Sequence, residues 1–341
     1  MTAPLRGAAS KQTLSALCVL CAYIVLCVLS APAAQAQSKD QLSVLPVRGG
    51  IYMISGPTSN TTVQVGRDGV LVVDTQTEAL GDALLAQIRT LSDKPIRMIV
   101  NTGIAADHIG GNAALKKSGQ ILSGGNQRAA TVYGTGGSPI YGHENVLTRL
   151  TQANSDAAGW PTDTYFVAQK DMFFNGEPVQ LMHVPSAHSD GDTLVVFRRT
   201  DVISVGNIYT PDRYPVIDVA RGGTIDGVVA ALNRIIDLTV PEFNEEGGTM
   251  VVPGRGYLAD EADVAEYRDM VTIVRDRVRD MVRKGMSLDQ VKASKPTGEY
   301  DVVYGEHEAQ TFIEAVYRTL APAASKPATA TTRGRSTGDT K

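Results

Sequence analysis

The chain has 341 residues, 43% of them apolar, and a formal net charge of -4. That is enough apolar chain for a large buried core in one large or two small domains. The slightly acidic balance speaks against a nucleic-acid partner, which would normally meet a basic face.

The first elements belong to an export signal. Residues 1–36 hold Arg6 and Lys11 and no acidic residue. Leu14 to Leu29 is an apolar run, and Ala34-Gln35-Ala36 offers a cleavage site before Gln37. The run is short against the roughly 20 residues of a spanning helix, and an uncleaved anchor is the alternative reading. Cys18, Cys21 and Cys27 all lie within it, so a processed chain has neither disulfide nor thiolate nucleophile. The expected location is therefore exported, periplasmic or secreted, with no membrane attachment after cleavage.

Gly50–Ser55, Thr61–Gly66 and Gly69–Asp74 are rich in Val, Ile and Tyr and read as strands. Arg67-Asp68-Gly69 is the turn of a hairpin between the last two. Leu80, Leu84, Leu85, Ile88 and Leu91 recur at helical spacing over 79–91. Ile96–Val100 is a continuous apolar strand, and Gly110-Gly111-Asn112 opens a short helix through Lys117. Residues 141–152 read as a helix.

A second strand-rich block covers 171–175, 178–184, 193–198 and 202–205. An amphipathic helix over 224–238, an apolar strand over 249–252 and a long charged helix over 260–284 follow. A last helix spans 308–320. The Ala, Pro, Thr, Ser and Gly-rich residues after it are expected to be disordered. Strands, helix, strand and helix, repeated twice, point to two packed sheets under outer helices.

Four segments follow or end apolar strands, where sites are usually built. They are Asn101 to Asn112, Ser186 to Asp192, Gly206-Asn207, and Pro253-Gly254-Arg255-Gly256. In order and spacing they resemble the metallo-β-lactamase-fold superfamily, in its soluble exported branch of hydrolase-like proteins. The resemblance covers about residues 40 to 260 and includes the Gly69 to Asp74 strand. It implies an α/β fold, a four-layer αββα sandwich. The layout it suggests is a signal at 1–36, the sandwich at 37–258, a C-terminal helical extension at 259–322 and a tail at 323–341.

The resemblance also implies two zinc sites at the sandwich edge. One takes the first two histidines of an H-x-H-x-D-H loop and the histidine of the second loop. The other takes the Asp-His pair of the first loop and a histidine of the fourth, with an acidic residue of the third bridging. Here Gly103 and Ala105 stand at the two leading histidine positions. Asp107, His108 and His188 remain, Asn207 replaces the bridging carboxylate and Arg255 replaces the last histidine. Four of the seven ligand positions, Gly103, Ala105, Asn207 and Arg255, are changed.

Catalytic zinc normally keeps three protein ligands and a water. Neither glycine, alanine nor arginine offers a lone pair. The expectation is a homologue that is non-catalytic or catalytically altered, with no cofactor or at most one weakly bound zinc. Its vestigial site is Asp107, Asn207 and Arg255, and its cleft is open to a small molecule or protein partner. Arg255 is expected to pair with Asp107 across the cleft. The alternative is a hydrolase of esters, lactones, thioesters or lactams with one metal on Asp107, His108 and His188. No Ser-His-Asp or Cys-His arrangement is legible for a metal-free hydrolase.

Bland readings stand beside these. Asp107 and His108 either cap the helix beginning near Gly110 or keep an inherited site role. Asp190-Gly191-Asp192 is a tight turn. His143 is read as packing or helix-terminus electrostatics, and His183 and His307 as structural. Tyr209, Arg213 and Tyr214 cover the sandwich edge rather than contact a ligand. Asp74 is expected to support the 101–107 backbone.

Overall fold

A computed structural model describes residues 42–120, 137–241 and 247–321. The expected signal and the tail lie outside the described residues. Among those described, seven strands form one sheet in sequence order. They are β1 (Ser43–Arg48), β2 (Ile51–Ser55), β3 (Asn60–Gly66), β4 (Gly69–Val73), β5 (Ile96–Val100), β6 (Ile140–His143) and β7 (Asp163–Tyr165). The pairs from β1 to β4 are antiparallel, and those from β4 to β7 are parallel.

The second sheet holds β8 (Gln169–Phe174), β9 (Glu177–Val184), β10 (Asp192–Phe197), β11 (Val202–Ser204) and β12 (Met250–Val252). Its order is β12-β11-β10-β9-β8, with only β11 and β12 parallel.

The helices are α1 (Gly81–Leu91), α2 (Ala106–Ile109), α3 (Asn112–Ser118), α4 (Glu144–Gln152), α5 (Ile225–Leu238), α6 (Glu261–Arg283), α7 (Leu288–Ala293), α8 (Asp301–Tyr304) and α9 (Glu306–Leu320). Among the described residues none is long and apolar enough to cross a membrane.

The layers follow from side-chain alternation along strands covered on both faces. In β4, Leu71 and Val73 point into the space between the sheets, where they join Met53, Val100, Leu181, Val195 and Phe197. Val70 and Val72 point the other way, against Leu84 and Ile88 of α1 and Leu115 of α3. In β10, Val195 and Phe197 face the first sheet, while Leu194 and Val196 meet Val228, Leu232 and Ile235 of α5. The same outer cluster continues into Val271 and Val274 of α6 and Phe312 and Ile313 of α9. The result is the expected four-layer αββα sandwich with a helical C-terminal region.

Helix α6 starts where the sequence calls for it. The Asp260 side chain accepts from the Ala262 and Asp263 amides, and Asp263 reaches back to the Asp260 amide. Tyr267, Met270, Val271, Val274 and Val278 form its buried stripe.

Two local readings need correction, and one strand was not read. Residues 140–143 are a strand, not a helix start. The parallel places beside β5 and β7 take them into the sheet, and α4 begins only after His143. Asp107 and His108 lie inside α2 rather than capping α3, whose start at Gly111 has no side-chain cap. Strand β1 carries Pro46, which argues against a strand in a sheet interior. It is an edge strand with a bulge between Pro46 and Arg48, where a missing amide costs little.

Leu232 is fully buried between the second sheet and the outer helices. Leu232→Ala is expected to destabilise the fold by about 2–5 kcal/mol. Urea unfolding should show a lower midpoint with an unchanged slope.

Candidate functional site

The four loops meet at one end of the sandwich. Strand β4 runs into Asp74, whose left-handed backbone (φ 61°) turns its carboxylate toward the loop after β5. Asp74 Oδ1 accepts from the Thr102 amide at 2.8 Å, and Oδ2 accepts from the Thr102 hydroxyl at 2.6 Å. The Thr75 amide donates to the His108 carbonyl at 2.6 Å. The expected support of the 101–107 backbone by Asp74 is thus present.

Backbone-to-backbone contacts tie in the other loops. The Thr193 amide donates to the Thr102 carbonyl at 2.8 Å. Gly206 has φ 54°, and a Cβ there would collide with the Thr102 hydroxyl. Gly254 donates its amide to the Gly206 carbonyl at 2.9 Å, and a Cβ on it would collide with that same peptide. From the start of β3, Asn60 donates to the carbonyls of Gly254, Pro253 and Gly256. The Ser59 hydroxyl donates to the Asp107 carbonyl.

At the centre lies His108, 1% exposed. Its Nδ1 stands 2.6 Å from Asp74 Oδ2, and its Nε2 stands 2.9 Å from Asn207 Oδ1. Burial by itself pushes this imidazole down. The Asp74 carboxylate beside it outweighs burial, with help from Asp107 and Asn207, and holds it up at about 9. A ring with an acceptor at each nitrogen is an imidazolium donating twice, and it has no lone pair left.

The remaining candidates make no hydrogen bond to that ring. Asp107 is half-buried and acts on His108 through its charge, and among the described residues its carboxylate has no hydrogen-bond partner. His188 is buried, with Nδ1 2.7 Å from the Val216 carbonyl. The Nδ1–H therefore donates there. Arg255 does not pair with Asp107. Its Nε donates to Asp212 Oδ2 at 3.2 Å, because the turn at Gly256 (φ 93°) packs against Pro211 and Asp212 and brings that carboxylate closer.

Gly103 is buried, and among the described residues a Cβ there would meet Asp192 Oδ1 at 3.4 Å. Among the described residues no three His, Cys, Asp or Glu are grouped so as to hold a metal ion.

Sequence reasoning passed over Ser59, Asn60 and Thr102, and it read others only as turn or packing residues. Asp192 is buried and accepts from both the amide and the hydroxyl of Ser189, at 2.8 and 2.6 Å. Burial pushes its carboxyl up, against His188 and Ser189, which favour the charged form. Asp190-Gly191-Asp192 is a turn, as read, and Asp190 additionally pairs with Arg149 at 2.6 Å. His143 caps α4 by accepting from the Asn145 amide at 3.3 Å, and its ring stacks on His183 at 3.6 Å. Burial and then His183 lower His143 to about 4. Tyr209 and Tyr214 are buried in the packing against Tyr267 and Phe312. His307 is exposed, 3.6 Å from Glu308.

The model of the metallo-beta-lactamase superfamily matches residues 55–241. The chain belongs to that superfamily. Among solved structures it is similar to a metallo-beta-lactamase from Pontibacter korlensis, with 16% identity and a TM-score of 0.53 over 68% of this chain and 99% of that one. It is also similar to the DIM-1 metallo-beta-lactamase, at 14% and 0.52 over 68% and 97%. The stereoselective inverting sec-alkylsulfatase Pisa1 from Pseudomonas sp. gives 15% and 0.59, over 83% of this chain. The chain spans 51% of that sulfatase. At such identities the likeness shows the fold alone. No curated protein sequence matches the chain.

The raised His108 makes stability depend on pH. Its folded value, about 9, lies above the ordinary 6.5, so its contribution is complete below 6.5 and lost as pH rises through 9. The loss should be of order 3 kcal/mol. Urea unfolding of the wild type and of His108→Gln at pH 6 and pH 9.5 should show that decline in the wild type alone. At pH 6 the variant should be less stable by about 3–5 kcal/mol, because Asp74 is left buried without its cation.

Proposed function

We propose that this chain is an exported metallo-β-lactamase-fold protein whose loop cluster is a metal-free binding cleft for a small molecule or a protein partner. The observation that carries this reading is the engagement of both His108 ring nitrogens, by Asp74 and by Asn207. A histidine binds a metal through the lone pair of one ring nitrogen while the other donates outward. Here the ring donates on both sides, and a carboxamide occupies the position of the bridging carboxylate.

The rest of the donor set fits a zinc pair no better. Gly103 and Ala105 supply nothing, and Arg255 brings a fixed positive charge to the place of a histidine. The reading assigns the chain no cofactor, or at most one weakly bound zinc, and no step of water activation by a metal ion. Export rests on Arg6, Lys11, the Leu14 to Leu29 run and the Ala34-Gln35-Ala36 site. It places the protein in the periplasm or outside the cell, with neither a nucleic-acid nor a membrane partner after cleavage.

One observation keeps a second reading in play. Among the described residues the Asp107 carboxylate and His188 Nε2 have no hydrogen-bond partner. With His108 they would be the ligands of a single-metal hydrolase, provided that His108 gave up a proton and its bond to Asn207.

Equilibrium dialysis against zinc separates the two. The wild type is expected to hold well under one equivalent at micromolar free zinc. A variant carrying Gly103→His, Ala105→His, Asn207→Asp and Arg255→His should take up zinc, since it supplies the four missing electron-pair donors. Stoichiometric zinc on the wild type, lost in His108→Ala, would sink the metal-free reading in favour of the hydrolase.

A further inference from the structure

We propose that the stacked rings of His143 and His183 are an acid-sensitive clasp. Stacked, they hold the 186–192 loop against α4; with a proton on each ring they let that loop go. The clasp is separate from the donor set of the cleft and stands whether or not a metal ion binds there.

The two rings come from different sheets. His143 ends β6, and His183 stands next to last in β9. Their centroids lie 3.6 Å apart with planes 6° from parallel, and Tyr165 of β7 meets His143 edge-on at 5.3 Å. His143 is buried and His183 half-buried. Each ring also reaches past the stack. His143 Nδ1 accepts from the Asn145 amide at 3.3 Å and so caps α4. His183 Nε2 donates to the Asp190 carbonyl at 2.9 Å.

Helix α4 and the loop meet at the same place. Asn145 Nδ2 donates to the Asp190 carbonyl at 2.8 Å, and Arg149 pairs with the Asp190 carboxylate at 2.6 Å. Gly191 packs so tightly that a Cβ on it would lie 2.9 Å from Val146 Cγ2. The loop held in this way carries His188 and Asp192.

A proton on His143 breaks this arrangement in two ways. It must settle on Nδ1, which turns the capping acceptor into a donor facing the Asn145 N–H. Two imidazolium rings 3.6 Å apart also repel, so the stack disfavours the doubly charged pair. Around the pair stand Asp190, Arg149 paired with it, Glu144 next in the chain and Tyr165, whose hydroxyl bonds Thr193. Lys170 of β8 lies over Tyr141, two residues before His143. Burial and then His183 outweigh Asp190 and hold His143 down at about 4. That folded value lies below the ordinary 6.5. The clasp's contribution is therefore complete above 6.5 and lost as pH falls through about 4.

The test is hydrogen exchange and histidine NMR on the full chain between pH 7 and pH 4. The chain has five histidines, so single substitutions assign the ring signals. Protection of the Asn145, Asp190 and Gly191 amides should fall at least about tenfold over that range, relative to buried Val274 in α6. His143→Asn keeps a capping acceptor and takes no proton, so its relative protection should stay level. His183→Phe keeps a ring in the stack without its charge and should move the His143 titration up toward 6.5. Three results would each overturn the clasp. They are level relative protection in the wild type, a fall in His143→Asn equal to the wild type's, and a His143 titration unmoved by His183→Phe.

Discussion

One buried chain of hydrogen bonds links the two halves of the sandwich, from Thr102 through Asp74 and His108 to Asn207. The first three groups hang from the first sheet, after β4 and β5. The fourth hangs from the second sheet, after β11. Loops anchored in different sheets need something to register them across the rim, and a shared ion can do this by taking ligands from both. Here a buried ion pair extended by a carboxamide does it. Its strength depends on completeness, because a buried carboxylate or imidazolium deprived of its partner is far costlier than either group in water.

The ring at the centre cannot serve two masters. A dication placed at Nε2 would displace the proton that Nε2 donates to Asn207, and would leave the Asn207 oxygen to find another donor. Metal uptake would therefore be coupled to proton release and would weaken as pH falls. Asn207 matters for the same reason. An aspartate in its place would attract a cation and contest the His108 proton, whereas the amide accepts one hydrogen bond and carries no charge.

The sequence discloses the fold more fully than the site because the two are written in different signals. Leu71 and Val73 against Val70 and Val72 announce a strand buried on both faces, and Tyr267 through Val278 announce a helix with one buried stripe. The strands β1 and β7 escape that reading. One contains Pro46 and the other is three residues long, and each is an edge held by a single neighbour. The identities of Asp107, His108, His188, Asn207 and Arg255 mark the site's position. Their partners do not follow from identity. Arg255 meets Asp212 and not Asp107 because of how Gly256 turns, and Asp192 caps Ser189 through a contact that its place in a turn motif does not reveal.

The loops keep their arrangement despite the changed ligand positions because little of their geometry relies on those side chains. Gly206 and Gly254 approach Thr102 and each other so closely that any Cβ would collide. Asn60 and Ser59 fasten the fourth and first loops through carbonyl oxygens. Such main-chain contacts are indifferent to whether position 103 is glycine or histidine. The framework can thus persist whatever side chains these positions display.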